Sequence, residues 1–174
     1  MTTTNLPPPA PPTVAVSTRC GDLLDFLAVR DMLARCSPDT LHRRFHTPTT
    51  RLADRSLRQL LAPPDGWSVV AHADSRLVAL GCAGAVSAVD VEVGLLVEDG
   101  HQGRGIGARL LHEIAVEAHA RGFVRLRCLT QPDNDRVPAT AHRAGLSTSL
   151  HQDDGLLYVD IDLHQVAGEL ARPA

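Results

Sequence analysis

Dense apolar blocks with recurring β-branched valine alternate along the chain with segments whose apolar residues return every three to four positions. Trp67 to Ala73 and Arg76 to Val86 have the first character, and the polar break Ala73-Asp74-Ser75 between them predicts a hairpin. The short connection Ser87-Ala88 leads into a third strand, dense in apolar residues from Val89 to Val97, so three consecutive strands should lie antiparallel. Residues 123–129 read as another buried strand, and 147–150 with 156–163 as a final hairpin about Gln152-Asp153-Asp154-Gly155. Thr13 to Arg19 alternates well enough for a first strand.

Helical spacing fills the intervals. Asp22 can cap a helix to about Arg35, with Leu23, Leu27, Arg30/Asp31 and Ala34 at helical spacing. Ser37 at the N-cap, Pro38 in the first helical position and Asp39 in the first turn start another. Asp54 to Leu61 is a third run, closed by Pro63-Pro64-Asp65-Gly66. After Gly107, Leu110, Leu111, Ile114 and Ala118 share one face, with Arg109, Glu113 and Glu117 largely off it, and Arg121-Gly122 ends the helix. Asn134 can cap a last helix through Arg143. A helix crossover makes the strands on either side of it parallel. The predicted order is β-α-α-β-β-β-α-β-α-β-β, with the short Asp54–Leu61 helix before the second strand: α+β with a mixed central sheet.

Composition narrows the function. The 174 residues suit one domain over 13–163, with a proline-rich arm over 1–12 that favours extended geometry and a tail over 164–174. A net charge of -3 argues against a nucleic-acid partner, and all the Lys+Arg residues are arginine. Cys20, Cys36, Cys82 and Cys128 are scattered with no C-x-x-C, which weakens metal and redox readings and suggests a reducing compartment. No membrane-length apolar run or secretory leader is read, so no membrane partner is expected and the location reads as cytoplasmic. His112 and His119 share a helix without an H-E-x-x-H pattern, so no metal is implied.

The chemistry concentrates in Val91 to Leu111, a strand, a glycine-spaced loop and a helix N-terminus. Unpaired amides and the positive end of the helix dipole suit a phosphorylated ligand there, and glycines allow close backbone approach. A P-loop would need Gly-Lys-Ser/Thr, and the chain has no lysine; a dinucleotide fold would need G-x-G-x-x-G, and the residue three after Gly107 is Leu110. Gln102-Gly103-Arg104-Gly105-Ile106-Gly107 instead closely resembles the Q/R-x-x-G-x-G/A acyl-CoA signature of the GNAT family of N-acetyltransferases.

That resemblance implies the GNAT fold, acetyl-CoA as acyl donor and an amine acceptor, either protein lysine or a small-molecule amine. Glu92 in Glu92-Val93-Gly94-Leu95-Leu96-Val97 matches the family's general-base strand, with burial expected to raise its pKa, while Asp90 reads as an edge carboxylate. Gly94 within the strand suggests a bulge or a close backbone approach. By the same resemblance, Leu95, Leu96 and Val97 bind the pantetheine arm and acyl carbonyl through their backbone. Gln102, Gly103, Arg104, Gly105, Ile106, Gly107 and Ala108 form the diphosphate loop, with Arg104 either adding charge or solvated. Asn134 matches the Asn that relatives carry at the start of the following helix. Two departures stand out: Ala141 occupies the usual tyrosine position, and Leu146 follows Gly145 where phenylalanine is usual.

Ser37-Pro38-Asp39-Thr40-Leu41-His42-Arg43-Arg44-Phe45 resembles the S-x-E-S-x-x-x-R-F element of a bacterial subgroup that includes protein-lysine acetyltransferases. There it helps wall the acceptor site. Leu41 and Phe45 read as inward packing, and Arg44 is left open. Two classes of function are compatible with these features: an N-acetyltransferase, and a non-catalytic acyl-CoA-binding module. A longer acyl donor and a homodimer also stay open.

Overall fold

A computed structural model describes residues 15–47 and 52–164. The arm expected over 1–12 and the tail beyond residue 164 lie outside them. The elements are β1 (Val16–Cys20), a 3-10 turn (Leu23–Asp25), α1 (Phe26–Arg35), α2 (Pro38–Phe45), α3 (Asp54–Leu61), β2 (Gly66–Ala73), β3 (Arg76–Ala85) and β4 (Asp90–Val97). A second 3-10 turn (Asp99–His101), α4 (Ile106–Ala120), β5 (Arg125–Thr130), α5 (Arg136–Arg143), β6 (Thr148–Asp153) and β7 (Leu156–Asp162) follow. The expected α+β order and mixed sheet are those found.

The seven strands run β1-β2-β3-β4-β5-β7-β6, and only β4 and β5 pair in parallel. Local chemistry fixes most boundaries. Asp22 accepts from the Leu24 amide at 2.7 Å, with Asp25 completing a capping box. Ser37 caps α2 by accepting from the Thr40 amide at 3.2 Å. Asp74 and Ser75 both have positive φ, as a tight hairpin turn requires, and Gly122 at φ +87 closes α4.

Two cores flank the sheet. Leu110, Leu111, Ile114 and Ala118 of α4 are fully buried against Ala79, Ala83, Val91, Val93 and Leu126. On the other face α1, α2 and α3 cover Val70, Leu80 and Leu96 with Val29, Met32, Leu33, Leu41, Leu57 and Leu61. This corrects the spacing read for α1: Leu23 and Leu27 are exposed, as are Arg30, Asp31 and Ala34, and the buried stripe is Val29, Met32, Leu33. The 3-10 turn that opens this segment does not share the α-helical period, so a single stripe drawn from Leu23 falls on the wrong face.

Candidate active site

The helix N-terminus is built as its sequence suggests. Gly105 is the N-cap of α4 at φ +82, with no side-chain cap. The first intrahelical bond runs from the Arg109 amide to the Gly105 carbonyl at 3.0 Å, so the amides of Ile106, Gly107 and Ala108 have no partner within the helix. Gly103 also has positive φ, +75. A Cβ at Gly103 or Gly105 would meet nothing within 4 Å, so the loop borders open space. Gly107 is different: its φ is ordinary, and a Cβ there would rest 3.5 Å from Thr140 and 3.7 Å from Val97.

The strand before the loop parts from its neighbour. β4 and β5 pair only at Asp90–Arg125, Val91–Leu126 and Glu92–Arg127. From Val93 onward β4 pairs with β3 alone, and a cleft of about 570 Å³ opens beside it. Its lining runs from Glu92 through Val97 to Gly103, Gly105 and Ala108, with Cys128 to Thr130 and α5 opposite. The splay therefore begins at Glu92.

Glu92 lines this cleft but is exposed, so the burial expected around it is absent. The bulge at Gly94 is absent too. Pairing with β3 runs unbroken from Ala79–Val97 to Ala85–Val91. The glycine serves a close approach instead: a Cβ there would collide with the guanidinium of Arg44. That side chain comes from the last turn of α2, donates to the Cys82 thiol at 2.9 Å and lies over the Phe45 ring at 5.1 Å. Glu92 and Gly94 share one face of β4, roughly 7 Å apart along the backbone, so Arg44 meets that face one step along from Glu92. The buried Cys128 thiol is pushed up to about 12 by burial, with Asp160 and Glu92 adding and Arg44 opposing.

A run of hydrogen bonds ties α2 to the loop. Asp99 accepts from the Ser37 amide at 2.8 Å, the Ser37 hydroxyl at 2.7 Å and the Thr40 hydroxyl at 2.8 Å. Burial works against the Asp99 carboxylate, but these donors outweigh it and hold its pKa below the ordinary range. Gln102 Nε2 donates to Thr40 Oγ1 and to the Val97 carbonyl, both at 3.0 Å, and Gln102 Oε1 accepts from Arg136 at 2.9 Å. The Gln102 side chain is thus spent within the protein. Arg104 is exposed and stands outside the cleft lining.

Asn134 is buried and lines the cleft, but it does not cap α5: Asp135 holds that place, without a side-chain hydrogen bond. The Asn134 amide turns back to donate to Thr130 at 2.7 Å, and its Oδ1 has no partner among the described residues. An unpaired buried acceptor is costly unless a donor meets it. Ala141 is fully buried in the α4 core and supplies no polar group.

A family model described as "Acetyltransferase (GNAT) family" matches residues 26–146, from α1 to just beyond α5. The chain is a GNAT acetyltransferase. Among solved structures, the GNAT domain of S. lividans PAT is similar at 24% identity and TM-score 0.76, covering 83% of this chain and 89% of that one. Another is yncA from Salmonella typhimurium, solved with acetyl-CoA: 21% identity, TM-score 0.68, 86% and 94% coverage. The aminoglycoside acetyltransferase AAC(6')-Ib, in complex with coenzyme A and kanamycin, is similar at 13% identity and TM-score 0.67, covering 91% and 100%. At these identities the likeness is one of fold.

The GNAT cleft of this chain also carries groups that its sequence did not announce. Arg43, Arg44, Arg136 and Arg143 line it, and Glu92 is the one carboxylate among the described lining residues. Arg136 and Arg143 are seven apart on α5, a spacing that puts both on one helical face and could have flagged them. Thr40 and Asp99 left no such trace, because 59 residues separate the partners. No helix among the described residues is long and apolar enough to cross a membrane.

Proposed function

We propose that this acetyltransferase takes its acetyl group from acetyl-CoA and passes it directly to a primary amine, with Glu92 as general base. One observation carries the reading: β4 leaves β5 at the Glu92 pair, and the same cleft ends on the uncapped N-terminus of α4. The amides of Ile106, Gly107 and Ala108, with those of the Gly103–Gly105 loop, suit the diphosphate. The unpaired Asn134 Oδ1 and the strand-free edge of Leu95 to Val97 suit the amides and carbonyls of the pantetheine arm. Acetyl-CoA, when bound, supplies an activated thioester.

The chain's own residues then have separable tasks. An amine with pKa near ~10.4 arrives mostly protonated, and Glu92 accepts its proton directly or through one water. Exposure keeps that carboxylate reachable from solvent and from an incoming acceptor. Backbone amides of Leu95 to Val97 orient the acyl carbonyl. With Ala141 buried in the core, no phenol stands ready for the departing thiolate, which leaves as the anion. Protein lysine is the first acceptor class to screen, on the strength of the Ser37–Phe45 resemblance; aminoglycosides are the second.

The test pairs isothermal titration of acetyl-CoA with turnover of lysine peptides and aminoglycosides, followed by chromatography of released CoA. Glu92→Gln should retain donor affinity and lose roughly 100-fold or more in rate. Full turnover in that variant would remove Glu92 from the chemistry. No heat from the folded parent protein would remove the donor itself.

A further inference from the structure

A loop with two glycines at positive φ is poorly ordered by its own sequence, so something else must hold it in one shape. In this chain the holder is α2. Its first turn offers Ser37 and Thr40 to Asp99. Thr40 Oγ1 then accepts from Gln102, Gln102 reaches the Val97 carbonyl, and Arg136 of α5 closes the run on Gln102 Oε1. The bonds form one run beside the glycine loop, from the Asp99 turn through α2 to α5.

We infer that Thr40 and Asp99 are positioning residues for the donor: through them α2 straps the glycine loop into the shape that presents its amides to a diphosphate. The inference rests on the acetyl-CoA reading of the cleft. Three features support it. Thr40 is buried, and valine of nearly the same volume would fill its place, so the hydroxyl answers a polar requirement and not a packing one. Asp99 gathers its donors from α2 and does not line the cleft, so it braces the loop without facing the ligand. Arg44 lies four residues after Thr40 on the same face of α2, seated over Gly94. One helix thus carries both the hydroxyl that holds the donor loop and, a turn later, the guanidinium beside Gly94. The element that resembles an acceptor wall is, at its N-terminal end, part of the donor site.

Titration of CoA and of pantetheine, which lacks the nucleotide diphosphate, separates positioning from general damage. Thr40→Val and Asp99→Asn should each weaken CoA roughly tenfold, while Thr40→Ser, which keeps the hydroxyl, stays within about twofold. Pantetheine affinity should be unchanged in all three. The double variant Thr40→Val/Asp99→Asn should bind CoA little worse than the weaker single one, because the two residues act through one run of bonds. CoA binding by Thr40→Val equal to the parent's would overturn the strap, as would parallel losses for CoA and pantetheine. A parent protein that binds no CoA would give a different result, removing the donor site and the strap with it.

Discussion

Gly105 and Gly107 belong to the same short motif, yet the structure assigns them opposite tolerances. Gly105 sits at φ +82, where an L-residue costs about 1–2 kcal/mol of backbone strain. For a protein of this length that lowers Tm by about 2–8 °C. The Gly105→Ala methyl would also enter the open space beside the loop, and realigning the neighbouring amides should forfeit one charge-assisted hydrogen bond to the donor. Such a bond is worth about 1.5–3 kcal/mol, or roughly 10–150-fold in acetyl-CoA affinity. Gly107→Ala places its methyl in ordinary contact with Thr140 and Val97, where the backbone needs no positive φ. It gains up to roughly 1 kcal/mol of helix propensity, so Tm should hold or rise and affinity should stay within about threefold. Scanning calorimetry and isothermal titration on both variants decide the matter. Equal losses of affinity would refute the placement of the diphosphate on the Gly103–Gly105 side.

Asp25, Glu98, Asp99 and Asp160 all have pKa values held below their ordinary 3.8 or 4.5; Arg19 does this for Asp25 and Arg127 for Asp160, while at Glu98 and Asp99 hydrogen bonds and nearby charges overcome burial. A carboxyl with a depressed folded pKa stabilises fully above its unfolded value and loses that stabilisation as pH falls through the folded one. Urea midpoints should therefore be flat down to about pH 5 and drop below it, and Asp160→Asn should flatten that drop; a midpoint steady to about pH 3 would contradict the assignment. Gly66→Ala would drive a methyl against the Ala83 carbonyl and leave it 2.9 Å from Pro63, whereas its strand partner Gly84 has nothing within 4 Å. Expression should yield folded Gly84→Ala and little folded Gly66→Ala, and comparable yields would show that the β2–β3 hairpin relaxes more easily than its geometry allows.

Much of the fold was legible because its signals are local. Ser37-Pro38 marks a helix start by cap chemistry, Asp74-Ser75 marks a turn, and the α4 stripe is repeated enough to fix one face. The α1 face was misread because a capping box and a 3-10 turn precede the helix and shift its phase. At the site, Glu92 and the glycine loop stand within one continuous stretch, so their proximity could be read directly. Two features there depended on distant neighbours. The exposure of Glu92 depends on how far β5 departs, and the use of Gly94 depends on an arginine from α2. Asn134 lines the cleft but does not cap α5: the N-cap falls one residue later, at Asp135, and the Asn134 side chain donates to Thr130, a partner outside the helix that no capping pattern reveals.

The parting of β4 from β5 makes the sheet two leaves hinged on three residue pairs. One leaf holds β1 to β4 with the α2 strap; the other holds β5, β7 and β6. Each presents an unpaired edge to the other, an arrangement that elsewhere invites a foreign strand. A pantetheine arm, with its own amides, would lie between the leaves as a partial extra strand. In the free protein, edge amides of Val93 to Val97 and Cys128 to Thr130 that face the gap should exchange their hydrogens quickly, and on acetyl-CoA binding both sets should slow together. The ligand then joins the two leaves into a single cooperative unit.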